Sequence, residues 1–177
     1  MDILSFVLQV LSLVSMITAS LLKGKNMKKI LILVLAGNLL GALGYLAGGT
    51  GLNGAASCFL GTLMTFINYF FEAKNKELPK WLVAIYAVSF IGVNLVVAYM
   101  GASISYLTAI AILAALAFIM CIGQKNGAKY RFWTIVNMTL WCTYDGLSGT
   151  YSALANHIPL LLFTVAGMII HDRKKKE

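Results

Sequence analysis

The chain alternates long apolar runs with short polar punctuation. Runs near 3–22, 30–47, 52–71, 80–99, 103–122, 132–149 and 151–170 each approach the roughly 20 residues that cross a bilayer as a helix. Seven such runs use up nearly all of the 177 residues and leave no room for a soluble domain. The pattern predicts an all-α polytopic membrane protein with seven transmembrane helices. The first run has no basic flank ahead of it and no small-residue cleavage pattern behind it, so it is expected to be a retained helix and not a signal peptide. Composition agrees, with 60% apolar and 11% charged residues against about a quarter charged in soluble domains.

The net charge of +8 would suit a nucleic-acid binder, but its distribution argues against one. All 14 Lys and Arg fall in four clusters: Lys23, Lys25, Lys28 and Lys29; Lys74, Lys76 and Lys80; Lys125, Lys129 and Arg131; Arg173 to Lys176. Threading seven spans through them places every cluster on one side, and the loops around Gly48–Gly51, Gly101–Ala102 and Ser148–Thr150 carry none. By the positive-inside rule that side is cytoplasmic, which puts the amino terminus outside and the carboxyl terminus inside. The clusters read as a solvated topology signal that also meets anionic lipid head groups. Cys58, Cys121 and Cys142 lie within spans without metal-ligand spacing and read as small packing residues.

A shift of about 100 residues brings the chain into register with itself. LLKGKNMKK at 21–29 matches CIGQKNGAK at 121–129, and Ser5-Phe6 matches Ser105-Tyr106. With a one-residue slip Asn38 falls on Asn137 and Tyr45 on Tyr144; the slip closes at Gly49-Thr50 against Gly149-Thr150. Residues 1–78 and 101–177 are therefore expected to be two three-helix repeats, with the helix in 79–100 as a linker. A single-span linker makes the repeats parallel, related by a pseudo-twofold along the membrane normal, and such halves enclose a site at their interface or simply form a scaffold.

This three-plus-one-plus-three plan resembles the SWEET sugar transporters and the Pnu vitamin transporters. More closely, GYLAGGTGLNGAAS at 44–57 and WCTYDGLSGT at 141–150, ahead of a last helix and a basic tail, resemble the YgjV-type bacterial inner-membrane proteins. The resemblance implies a bacterial inner membrane and a transporter-like fold, and supplies no substrate.

Polar residues inside the runs are the candidate chemistry. Asn38 and Asn137 lie near the middle of their spans, where a carboxamide either grips a neutral ligand or makes an interhelical hydrogen bond averaging about 0.6 kcal/mol. Asn53, Ser57, Gly61, Thr65 and Asn68 recur at helical spacing on one face of the third span, and Ser152, Asn156, His157 and Thr164 answer from the seventh. Pro159 is either a gating hinge or a static kink. Asp145 is the one acidic residue inside the predicted spans, where an ionised carboxylate costs about 2.5–3.5 kcal/mol near the centre and less near a rim. It reads as a solvated rim residue, an ion or ligand contact, or a proton-coupling group shared with His157. Asn137, Trp141 and Tyr144 or Asp145 follow steps of three or four and form one wall of a path leading outward from the midplane. Ser5, Gln9, Ser12 and Ser20 form a weaker stripe that Ser105 and Thr108 echo; of these, the Gln9 amide is hardest to explain as packing.

There is no phosphate-cradling glycine loop, no HExxH or CxxC, no oriented Ser-His-Asp set and no lysine within a span, so enzymatic chemistry, cofactors and metals are not expected. The expected function is a small secondary transporter or facilitator of a small, mostly uncharged polar metabolite, sugar, nucleoside or vitamin-like, moving by alternating access between the repeats. Its contacts would be Asn38, Asn137, Trp141, Tyr144, Ser57, Asn156, His157 and Gln9, with Asp145 for ion or proton coupling. The alternative is a sensor or assembly protein that acts through its basic loops. The bilayer and a small-molecule substrate are the expected partners, and a homo-oligomer is compatible with both readings. In a chain stripped of its native cysteines, a single cysteine at Asn75 or Gln124 should resist a membrane-impermeant thiol reagent on intact cells, while one at Ser148 reacts; the reverse labelling would overturn the orientation.

Overall fold

The structure is a computed structural model that describes residues 3–24, 26–48, 52–100 and 105–172, with the side chains at 52–54 and 152 outside the description. The Asn53 and Ser152 side chains, Lys25, the Gly49-Thr50 match and the basic tail from 173 onward therefore lie outside it. The described residues form seven helices: α1 (Ile3–Leu21), α2 (Met27–Ala47), α3 (Leu52–Ala73), α4 (Lys80–Met100), α5 (Tyr106–Ile122), α6 (Gly127–Ser148) and α7 (Tyr151–Asp172). No strand occurs among the described residues. α1, α2, α4 and most of α7 are long and apolar enough to cross a membrane, as befits a multi-pass membrane protein. α5 is apolar but has only 17 residues. α3 and α6 each carry several of the polar residues noted above, which dilutes their hydropathy.

Helix ends follow local capping. α6 begins five residues before its apolar run because Asn126 is its N-cap, with Oδ1 accepting from the Ala128 amide at 2.8 Å. α5 begins at Tyr106 because Ser105 and Thr108 form a capping box. The echo of the α1 stripe is thus a helix cap.

Neighbouring helices pack in chain order, α2 between α1 and α3 and α6 between α5 and α7. α1 also packs on α7, and α4 on α5 and α3. The central core joins Ile30, Leu31 and Val34 of α2 with Met64 of α3, Tyr86 and Phe90 of α4, and Ile119 and Ile122 of α5. Of the expected inner face of α3, Gly61, Thr65 and Asn68 are buried and Ser57 is half-buried, while the Asn53 side chain lies outside the description.

The stripe on α1 closes the α1–α2 seam. Ser5 Oγ donates to the Gly44 carbonyl at 2.8 Å, Gln9 Nε2 to Gly41 at 3.5 Å, Ser12 Oγ to Gly37 at 2.7 Å and Ser15 Oγ to Leu33 at 2.8 Å. These bonds require bare backbone on α2. A Cβ at Gly37 would lie 2.9 Å from Met16 Cγ, and one at Gly44 would lie 2.9 Å from Gln9 Nε2. Small residues let the helices close until side-chain donors reach the opposite carbonyls.

The end of the bundle near the basic loops is organised by Arg131. It was expected in a solvated cluster, yet its exposure is 0%. Its Nε and Nη2 donate to the two Asp172 carboxylate oxygens at 2.7 and 2.6 Å, and Nη1 reaches the carbonyls of Leu22 at 2.7 Å and Ser20 at 3.4 Å. His171 Nε2 donates to the Leu21 carbonyl at 2.8 Å. The last carbonyls of a helix have no partner within it and carry partial negative charge, so a bidentate cation from α6 and a donor from α7 complete α1. Gly167 allows the approach, because a Cβ there would lie 2.6 Å from the Ser20 carbonyl oxygen. α7 extends to Asp172 to close this junction. Arg131→Ala should lower stability by about 3–5 kcal/mol in detergent unfolding, because it leaves Asp172 and the carbonyls of Ser20 and Leu22 without this donor; Lys28→Ala, at an exposed position, should stay within about 0.5 kcal/mol.

Candidate functional site

At the opposite end, α6 and α7 are joined by a tight turn. Gly149 takes a left-handed φ of 74°, and the Thr150 amide returns to the Asp145 carbonyl at 3.0 Å. A side chain at 149 would be strained in this conformation, which makes the turn glycine-dependent. By reversing the chain within two residues, the turn lays the first turns of α7 against the last turns of α6 and sets position 157 opposite position 145.

Asp145 is 3% exposed, buried where a solvated rim residue was one expectation. Its Oδ2 lies 2.6 Å from His157 Nδ1, and its Oδ1 accepts from Thr150 Oγ1 at 3.1 Å. The Ser148 and Thr150 hydroxyls lie 2.7 Å apart and extend the network along the turn. The His157 side chain keeps 23% exposure and makes no second hydrogen bond among the described residues. A proton on Nδ1 directed at the carboxylate leaves Nε2 as the ring nitrogen not engaged by Asp145. Trp141 stacks on the imidazole, with centroids 6.0 Å apart and planes at 27°, and meets Tyr144 edge to face at 5.5 Å. Asp145 and His157 are two potential metal ligands, but no group of three forms among the described residues.

Four candidates thus converge: Trp141, Tyr144, Asp145 and His157. The asparagine pair is divided. Asn137 Nδ2 donates to the Ala114 carbonyl of α5 at 2.6 Å, an interhelical bond. Asn38 is 8% exposed and its Nδ2 has no hydrogen-bond partner among the described residues. A Cβ on Gly61 of α3 would lie 3.4 Å from that nitrogen and 3.3 Å from the Phe118 ring of α5, so the amide sits where α2, α3 and α5 meet. Gln9 is occupied in the α1–α2 seam. Ser57 and Asn156 are half-buried and make no side-chain hydrogen bond among the described residues. Pro159 lies inside an uninterrupted α7.

Sequence reasoning missed Thr150 as an Asp145 partner and missed the Arg131 junction. A turn hydroxyl two residues past a helix end was a signal for the first. For the second, the signal was an arginine, not a lysine, within an aromatic Tyr-Arg-Phe-Trp segment. Comparison with known proteins finds no matching family model, no matching curated protein and no matching solved structure.

Asp145→Ala should destabilise the protein by about 1–3 kcal/mol, because it leaves two donors without an acceptor, and Asp145→Asn by less. With Trp81 and Trp133 replaced by Phe, the emission of Trp141 should shift to the red in the alanine variant as the imidazole stack loosens; an unchanged spectrum would mean that the carboxylate does not hold the stack.

Proposed function

We propose that the chain is a small secondary transporter or facilitator of a small, neutral, polar and ring-bearing metabolite. One observation carries this reading: a buried carboxylate fixes a part-exposed imidazole against a tryptophan, at one end of a helical bundle suited to a membrane. Ionisable groups within membrane helices are disfavoured and usually mark a solute or proton path. Here the carboxylate orients His157, whose Nε2 accepts or donates to solute, while Trp141 and Tyr144 offer ring faces. Asp145 with His157 would also be the pair through which a proton is exchanged. Asn38 is the natural second station, because a buried amide donor without a partner is costly until a ligand or water supplies an acceptor. A strongly anionic solute is disfavoured, since the buried cation Arg131 is fully engaged.

Alternating access between residues 1–78 and 101–177, with 79–100 as linker, is part of the proposal. Its support is the matched burial of residues 30–40 and 130–140, which agree position for position at a shift of 100. Two bonds would then act as clasps at the basic end, Arg131 to the Leu22 carbonyl and Asn68 Nδ2 to the Ile122 carbonyl at 3.1 Å. Tyr86 of α4 supports the second through its hydroxyl, 3.1 Å from Asn68 Oδ1. Pro159 would supply compliance in α7. The positive-inside rule places the basic end in the cytoplasm, and the resemblance noted above points to a bacterial inner membrane.

The test is a thermal-shift screen of the purified protein against sugars, nucleosides and vitamin precursors. A ligand at about 100 times its Kd adds roughly 2.7 kcal/mol of stability. We expect one class to stabilise the wild type and to lose its effect in His157→Ala and in Asn38→Ala, with both variants still folded. A folded wild type that no compound shifts would overturn the proposal.

A further inference from the structure

The α5–α6 seam is open where the α1–α2 seam is closed. Between α5 and α6 runs a groove of about 290 Å³, lined by apolar side chains that include Leu113, Leu116 and Met120 of α5 and Trp133, Val136 and Leu140 of α6. The glycines of α2 account for its closed seam, since α2 meets α1 over bare backbone with Met16 and Gln9 laid into the gaps. Positions one hundred beyond Gly37, Gly41 and Gly44 carry Asn137, Trp141 and Tyr144, of which Asn137 reaches the Ala114 carbonyl of α5 and Trp141 stacks on His157 of α7.

The lining of the groove selects its occupant. An apolar lining gives water too few partners and suits hydrocarbon. The α6 lining follows one stripe, 133, 136 and 140, so the groove extends about 10 Å along the helix. Continuing that stripe one turn toward the basic end reaches Lys129, which is exposed and makes no hydrogen bond or ion pair among the described residues. Trp133, which lines the groove one turn from Lys129, is of the residue type that concentrates at the head-group level. α5 itself spans about 26 Å, short of a hydrocarbon core of about 30 Å, so lipid must adjust at this helix.

We propose that this groove binds one acyl chain of an anionic phospholipid from the leaflet on the basic side, with Lys129 against the lipid phosphate. The site is independent of the transport reading and requires only that these helices lie in a membrane.

The full chain in neutral detergent would be titrated with phosphatidylglycerol and with phosphatidylcholine of the same acyl chains, with binding read by native mass spectrometry and thermal shift. Phosphatidylglycerol should be retained in preference. Lys129→Gln should weaken it about fivefold, the effect of one lysine near an anionic surface. Lys80→Gln, outside the groove, should leave it unchanged. Val136→Trp should abolish retention by filling the groove, and Leu113→Trp, at a position 53% exposed, tests the same point if the first variant elutes as aggregate. Equal retention of the two lipids, or retention unchanged by Lys129→Gln or by a folded groove-filling variant, would overturn the proposal. Glycerol phosphate at the same concentrations should not compete; competition would assign the site to a free phosphate and likewise overturn it.

Discussion

The bundle depends on the Arg131 guanidinium. A fully buried arginine is tolerated only where each face of its fork meets an acceptor, and here Asp172 takes one side while the carbonyls of Leu22 and Ser20 take another. The arrangement settles two electrostatic liabilities together. α1 ends with partial negative charge and carbonyls its own backbone cannot satisfy, and α7 ends on a carboxylate. A single cation from the first turns of α6 answers both, which fixes where three helix ends meet and so how the first and seventh helices cross.

The same α6–α7 pair carries an ionisable couple at each end, and the couples differ in kind. Arg131 with Asp172 is saturated, whereas His157 with Asp145 keeps one imidazole edge unused among the described residues. Saturation suits an anchor and an unused edge suits recognition. The two helices are thus rigidly located at one end and chemically available at the other.

Much of the fold was legible because it is written in hydropathy and in charge. The seven runs are all helical, with ends displaced by up to five residues where a cap such as Asn126 or Ser105 outweighs the apolar boundary. The α3 stripe pointed inward as its spacing required. Partnership was less legible. Asn38 and Asn137 look alike in sequence, but Ala114 offers Asn137 a carbonyl and Gly61 offers Asn38 nothing. The Gln9 amide, which resisted explanation as packing, bridges to α2 because the glycines opposite expose their backbone. Arg131 was grouped with solvated lysines because a charge cluster records the side of the membrane and not whether one of its members turns inward.

The junction at Arg131 also orders events in the life of the chain. The carbonyls at the end of α1 are made early in synthesis, while the donors that complete them, at 131 and 171, emerge more than a hundred residues later. Until the seventh helix arrives, the first has an unfinished end, and Asp172 brings the counter-charge that lets Arg131 be buried. A chain halted before α7 would lack both Asp172 and His171, so Arg131 would have no carboxylate and the end of α1 would miss one of its donors.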